Sequence, residues 1–486
     1  MTAAPARFLA RSAFEPAREY RLLPFRFGRL DSERYVVTND VGEYVVMGRT
    51  ELAAFAERRL PTTSNTYRAL KAKHFLFDDA SECALDLLAL KVRSRAERIA
   101  QFTGLHIFVL TLRCDHSCHY CQVSRQTEDK GAFDMTLEHA DAALDAVFRS
   151  PSRAIKIEFQ GGEPLLAFET LKHVVLRAEE MNVAYRKDLA FVVATNLSKL
   201  EDEHLAFAKE HGIAFSTSLD GPKDLHDARR PMRGGSSYDA ALRGITRVRQ
   251  ALGPHGVSAL MTTTPDSLDR VEDIVDEYVR LGFQGIFLRS LSPFGFAVKT
   301  KLLRKLGIED WLRFYERGLA RAIDVAASGV PFREEYTSIL LHKIFGASGT
   351  GYVDLQSPAG IGIGAIVYNY DGAVYASDEG RMLAEMGDTS FRLGQLGVDS
   401  YEAMMTSEAL VGPLDDTVLE SSPMCTDCPY LPYCGADPVY HRATQADHVG
   451  HKALSSFCTK QTHVLGHLLR LLEDDPRARR VLLGWV

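Results

Sequence analysis

LHIFVLTLRCDHSCHYC, residues 105–121, decides the reading of this chain. Its first eight residues form a nearly continuous apolar run, the pattern of a strand buried on both faces of a sheet. The remainder is a polar loop carrying Cys114, Cys118 and Cys121. An amphipathic stretch, DMTLEHADAALDAVFRS, follows with apolar residues at helical spacing. The same order of strand, loop and helix then recurs. Further strands are predicted at 154–160, 189–195, 213–219, 257–263 and 285–291, and helices near 168–181, 200–211, 237–252 and 267–281. Strands alternating with helices of this length predict an α/β fold with a parallel sheet and right-handed crossovers. Six units fall short of the eight that close a full barrel, so the expected core is a partial (β/α)6 barrel, with a flat doubly wound sheet as the alternative.

The flanks read differently. Within residues 1–100, RLLPFRFGRL and ERYVVTNDVGEYVVMG predict three short strands with turns at Asp31–Ser32 and Asn39–Asp40, followed by helices near 50–58, 65–73 and 81–100. This is a small α+β domain ahead of a barrel at 101–300. Residues 301–350 read as a helical connection. Residues 351–486 hold a Gly-rich segment at 359–364, a hairpin IVYNYDGAVYAS turning at Asp371–Gly372, and a helix near 459–474.

Composition narrows the function. The chain has 486 residues, 57 Lys+Arg against 64 Asp+Glu, and is 46% hydrophobic and 25% charged, which excludes a disordered, collagen-like or coiled-coil chain. A net charge of -7 gives no footprint for nucleic acid. No apolar run approaches the ~20 residues that span a bilayer, so no membrane partner is expected. The opening MTAAPARFLARSAF has Arg7 and Arg11 but no apolar run of signal-peptide length, so a cytoplasmic protein is expected. Of eight cysteines, seven fall into two tight groups, which favours metal binding over disulfides. The eighth, Cys83, sits in a leucine-rich helix and is expected to be a buried apolar residue.

Cys114, Cys118 and Cys121 can hold three corners of a cubane iron–sulfur cluster and leave one iron open. Structural zinc is the competing reading; it wants four closed ligands, for which His116 or His119 would be the fourth. Cys425, Cys428, Cys434 and Cys458 supply four ligands, for zinc or for a closed cluster. GGEP, with Gly161, Gly162 and Glu163, follows the second strand; Thr195 and Asn196 end the third, Ser218 ends the fourth, Arg230 follows twelve residues later, and Leu291 ends the sixth. Those strand ends are where a barrel-type fold builds its active site.

The spacing Cys114-x3-Cys118-x2-Cys121, with Tyr120 before the third cysteine, resembles the signature of the radical S-adenosylmethionine (SAM) enzymes. FQGGEP (159–164) resembles their motif for the methionine amino group, with Gly161 and Gly162 allowing close backbone approach and Glu163 offering a carboxylate. Thr195, Asn196 and Ser218 resemble strand-end positions around SAM, Arg230 the arginine near its carboxylate, and Leu291 the position that packs on adenine. The resemblance implies a SAM-binding 4Fe-4S cluster and S-adenosyl-L-methionine itself. It also implies an electron donor such as flavodoxin or ferredoxin, and a 5′-deoxyadenosyl radical that abstracts hydrogen from a substrate.

The second cysteine group resembles the SPASM (or twitch) iron–sulfur extension, with departures. Pro438 and Ser377 stand where that pattern has cysteines, which implies one auxiliary 4Fe-4S cluster rather than two. Asp378 matches the position of a base in the sulfatase-maturing members; the alternative is a carboxylate serving Arg381. Longer stretches, among them TLRCDHSCHYCQVSR, KIEFQGGEPLL, FLRSLSPFGFA and YVDLQSPAGIGIGAIVYNYDGAVYASDEGRMLAEMGD, resemble the His-Xaa-Ser system radical SAM maturases over roughly residues 20–460. That resemblance implies a ribosomally made precursor peptide, a His-Xaa-Ser repeat protein, as substrate, and a second radical SAM maturase as partner. The modification would be a crosslink, an epimerisation or an oxidation. The N-terminal domain resembles the winged-helix-like elements that bind leader peptides by strand addition; the alternative is a structural cap on the barrel. The competing functions are formylglycine generation in sulfatases and a non-catalytic zinc or iron–sulfur scaffold.

Overall fold

The computed structural model describes residues 20–79, 83–127, 129–347 and 349–486. The N-terminal stretch holding Arg7 and Arg11 lies outside the described residues.

The six apolar runs form the strands of one parallel sheet in sequential order: Leu105–Thr111, Ala154–Gly161, Asp188–Thr195, Ile213–Ser218, Val257–Thr262 and, last, Leu288–Arg289. Sequential order with a helix after each strand is what right-handed crossovers produce. The sixth strand is split. Only its second half pairs with the fifth, at Met261–Thr262, while Gly285–Ile286 pairs with Arg333–Glu334.

The other side of the sheet differs from the sequence expectation. Ala365–Tyr368, the first arm of the Asp371–Gly372 hairpin, pairs in parallel with the first barrel strand. Ala373–Tyr375 and Arg392–Gln395 add two antiparallel strands, making a mixed sheet of nine. The four residues Ala365–Tyr368 are all buried, so this strand has two buried faces and behaves as a barrel strand. The helix Ile308–Ala327, expected as part of a connection, also belongs to the barrel. A Cβ on its Gly318 would lie 2.5 Å from Leu288 and 2.7 Å from Val271, so glycine lets this helix press onto the sixth strand. No helix of the described residues is long and apolar enough to cross a membrane.

Near the N-terminus, Arg26–Arg29, Arg34–Thr38 and Tyr44–Gly48 form an antiparallel sheet, and Tyr20–Leu22 pairs separately with Leu76–Asp78. A small core of Val37, Met47, Phe55, Leu70 and Phe75 holds the sheet to its helices. This unit docks on the second cysteine region. Thr38 Oγ1 donates to the Pro429 carbonyl at 2.7 Å, Tyr433 Oη to the Gly42 carbonyl at 2.7 Å, and Arg34 grips Asp474 through both Nη atoms at 2.6 and 2.7 Å. Cys83 is exposed, one residue ahead of the helix Ala84–Ala100; that helix buries Leu88 and leaves Leu85, Leu87 and Leu90 on the solvent side. The expectation of a packed thiol fails because the leucine run does not face one core.

Candidate active site

The loop bearing Cys114, Cys118 and Cys121 leaves the C-terminal end of the first strand and is fixed at its base. Arg113 forms a two-pronged ion pair with Asp134 (Nε–Oδ1 2.7 Å, Nη2–Oδ2 2.6 Å), and Thr111 Oγ1 donates to the same carboxylate at 2.6 Å. The second strand's GGE segment closes on it, the Gly162 N–H reaching the Thr111 carbonyl and the Glu163 N–H the Arg113 carbonyl, both at 2.8 Å. A Cβ on Gly161 would sit 2.1 Å from the Thr111 oxygen, and one on Gly162 2.1 Å from the Arg113 oxygen. The room these glycines make is therefore filled by the backbone that leads into Cys114. Gly162→Ala is expected to push the cysteine loop off its base and lower iron retention several-fold, measurable as iron per chain after anaerobic reconstitution and desalting; wild-type iron content would refute the account.

Glu163 is fully buried and ties three strand ends together. Its carboxylate accepts from Thr195 Oγ1 at 2.6 Å, the Asn196 N–H at 2.9 Å and the Leu165 N–H at 3.0 Å. Burial pushes its pKa up to about 7 against the pull of those hydrogen bonds.

A polar chain runs round the loop. Asp115 receives Ser198 Oγ at 2.6 Å, Asn196 Nδ2 at 3.0 Å and His116 Nδ1 at 2.9 Å. Burial raises its pKa, but the hydrogen bonds from His116 and Ser198 outweigh that and hold the carboxyl well below its usual range. His116 Nε2 meets Ser237 Oγ at 2.9 Å, and Ser237 meets His226 Nε2 at 3.0 Å. The Asp220 N–H donates to His226 Nδ1 at 3.2 Å, and burial lowers His226 to about 4, keeping it neutral. That donor makes a neutral His226 give its Nε2 proton to Ser237, while His116 Nδ1 faces both Asp115 Oδ1 and, at 2.9 Å, Asn196 Nδ2.

Asp220 is the hub of a second group. Its Oδ2 accepts from Tyr120 Oη and, at 3.0 Å, from Arg230 Nε. Arg230 also lies over the Tyr120 ring, 5.2 Å from its centre, and directs Nη1 to Cys118 Sγ at 3.9 Å. Burial raises the Cys118 thiol to about 11 despite the nearby guanidinium, and burial with Glu163 nearby raises Cys114 further. Leu291 shares a small apolar cluster with Tyr120, Ala297 and Leu302. Ser218 is half-buried at its strand end, level with Leu260 of the fifth strand.

The helix that follows the hairpin, Asp378–Ala384, is bolted to the far end of the loop. Fully buried Arg381 donates to the Val123 carbonyl at 3.4 Å and pairs with Asp378 at 3.4 Å. Ser377 caps this helix, accepting from the Gly380 N–H at 3.0 Å. The Gly295 N–H donates to Met386 Sδ at 3.2 Å, and the Phe296 N–H to the Cys121 carbonyl at 2.8 Å, so the segment after the sixth strand clamps the third cysteine.

The donor set fits an open cluster. Cys114, Asp115 and His116 lie close enough to share a metal ion, yet both His116 ring nitrogens and both Asp115 oxygens are already engaged, and His119 is exposed. Soft thiolates without a free fourth protein ligand suit iron–sulfur chemistry better than closed zinc. The second group converges as well. Cys458 lies near enough to raise Cys425, Cys428 and Cys434, although burial is the larger cause for each; Cys428 reaches about 11 and Cys434 about 12. Four crowded, desolvated thiols are a site that bound metal would deprotonate. Pro438 occupies the first turn of the helix Pro438–Gln445, capped by Asp437.

Residues 108–278 match the family model described as the radical SAM superfamily. These residues form a radical SAM domain. An uncharacterised protein of Methanocaldococcus jannaschii is 28% identical over 190 residues, covering 38% of this chain and 62% of that one, so the chain spans under two thirds of that relative. Among solved structures, anSMEcpe with bound AdoMet is similar at a TM-score of 0.63 and 17% identity, covering 79% of this chain and 99% of that one. Streptococcus suis SuiB bound to precursor peptide SuiA is similar at 0.54 and 14%, covering 89% and 98%. At these identities the likeness is one of fold. It extends well beyond the radical SAM domain into the flanks.

Sequence reasoning named Cys114, Cys118, Cys121, Glu163, Thr195, Asn196 and Arg230, which the structure gathers round one loop, and Cys425, Cys428, Cys434 and Cys458, which it places elsewhere. It missed Asp220, Asp134, Asp115 and the His116–Ser237–His226 relay. Asp220 had a signal: it lies in SLDGP, two residues past a strand end already singled out.

Proposed function

We propose that this chain is a radical SAM enzyme that modifies a ribosomally made precursor peptide. The observation that carries the reading is the cysteine loop held at the C-terminal ends of the barrel strands, with Arg230 turned toward Cys118. Bound at the three thiolates, a cubane cluster with one open iron supplies the coordination site and the electron for SAM cleavage. The chain's own residues do the rest. Arg230, buried against Asp220 and Tyr120, places a permanent positive charge where SAM's carboxylate is proposed to lie. Glu163 fixes the exits of the second and third strands, with Thr195 and Asn196, so that the cradle for the methionine end is rigid before ligand arrives. Leu291 and Tyr120 supply apolar surface that excludes water beside the adenine position.

The second cysteine group is proposed to hold one auxiliary 4Fe-4S cluster with four protein ligands. Ser377 as a helix cap and Pro438 as a helix start support one cluster rather than two. Asp378 is proposed as a substrate-facing base, although its present partner is Arg381. The His-Xaa-Ser resemblance points to the substrate as a His-Xaa-Ser repeat protein, with flavodoxin or ferredoxin as electron donor and a second radical SAM maturase as partner. The N-terminal sheet, whose outer edges pair with no other described strand, is proposed to take up a leader peptide by strand addition. Formylglycine generation is the second reading; it too begins with hydrogen abstraction.

Anaerobic reconstitution tests the reading. About eight irons per chain and deoxyadenosine on reduction are expected for two cubanes, and a mass change or stereochemical change in a co-expressed precursor. Colourless, zinc-loaded protein would overturn it.

A further inference from the structure

Between the sixth barrel strand and the second cysteine region lies a cavity of about 60 Å³, room for several waters or the head of one side chain. Arg289 and Leu291 line one wall; Asp354, Glu379, Asp437 and Lys460 line the other. Its charges are close but poorly matched. The one ion pair is Arg289–Glu379 at 3.9 Å, with 40% of the arginine side chain and 24% of the glutamate still accessible. Lys460 stands over the rings of Tyr336 and Phe457, at 5.7 and 5.3 Å, rather than on a carboxylate. Asp437 gives one oxygen to the Tyr440 N–H at 2.8 Å as a helix cap. Three carboxylates against two cations leave one negative charge unmatched in a partly buried place, where burial raises the pKa of each of the three carboxyls. Burial and the neighbouring Asp354 push Glu379 up to about 8 and Asp437 up to about 7. A partly buried cluster of carboxyls is relieved by a proton or by an incoming cation.

We propose that this cavity binds a cationic, hydrogen-bond-donating side chain of the substrate, such as an amine or guanidine, on Glu379 and Asp437. The inference rests on the peptide-modifying reading above. Leu291 lines the cavity and also packs in the cluster with Tyr120, so the occupant lies one side-chain layer from the first cysteine group. Glu379 follows Asp378, whose partner Arg381 reaches the cysteine loop. The Tyr352 and Tyr440 rings in the wall suit a flat or ammonium cation.

The test uses the reconstituted, SAM-loaded full chain under anaerobic conditions and three probes: the N-acetyl methylamides of arginine, leucine and glutamate. Calorimetric titration is expected to show the arginine probe binding at least about tenfold tighter than the others, a difference of one decade in Kd. Glu379→Gln and Asp437→Asn are each expected to erase most of that preference; the asparagine keeps a capping oxygen, so the helix start survives. Equal binding of the three probes, no binding of any, or an undiminished preference in both variants would each overturn the proposal. Deoxyadenosine release by the wild-type sample is measured in parallel. Its absence would refute the radical SAM reading itself, whatever the probes do.

Discussion

Cys118→Ala is expected to abolish reductive deoxyadenosine formation, a loss of more than about a hundredfold, while leaving roughly half of the reconstituted iron. The two cysteine groups make that split possible. They belong to separate surfaces, one set at the mouth of the barrel and the other between the N-terminal sheet and the C-terminal helix Ser456–Asp474. Removing one thiolate from a three-thiolate site leaves two ligands, and no neighbour takes over: Asp115 and His116 are tied into the Ser198 and Ser237 contacts. The four-thiolate group is untouched. Iron analysis together with chromatography of the reaction mixture reads both effects. Retention of deoxyadenosine formation, or loss of all iron, would contradict the assignment of the two groups to two clusters.

The second large effect concerns the Arg230–Asp220–Tyr120 group. Arg230→Met is expected to destabilise the protein by about 3–5 kcal/mol and to weaken SAM binding by more than tenfold. Asp220 is 4% exposed and has the guanidinium as its ionic partner; without it a carboxylate is left inside the barrel with the Tyr120 hydroxyl and, at 3.3 Å, the Thr262 N–H. Arg230→Lys restores the charge but not the planar fork that spans Asp220 and the Tyr120 face, so it is expected to fall between the two. Denaturant midpoints and SAM titrations check this. A methionine variant with a wild-type midpoint would show that the pair is not what holds this strand end.

How much of this was legible beforehand divides along a physical line. Patterns of period and spacing are local, and they were readable: the apolar run 105–112, the helices between strands, the cysteine spacings and the Asp371–Gly372 turn all lie where expected. Sheet edges are not local. Nothing within AIVY distinguishes a hairpin arm in a separate domain from the strand that extends the barrel beside Leu105–Thr111, because that choice is made by which edge lies open. The role of the two glycines is similar. The resemblance implied that they allow close backbone approach, and the structure shows which backbone comes close on their Cβ side: the Thr111 and Arg113 carbonyls, from about fifty residues earlier.

Taken alone, the sequence determined the repeated parallel units, two groups of closely spaced cysteines, and the attachment of the first group to a strand end, since these follow from side-chain chemistry at short spacing. The tertiary structure decided which polar groups those thiols live among. Asp220 meets Arg230 and Tyr120, His116 is locked through Ser237 to His226, and Asp354, Glu379 and Asp437 converge on one cavity across some eighty residues of chain. Such encounters carry no sequence period. They exist because burial brings charges from distant segments into a low-dielectric space, where each must find a partner or shift its proton.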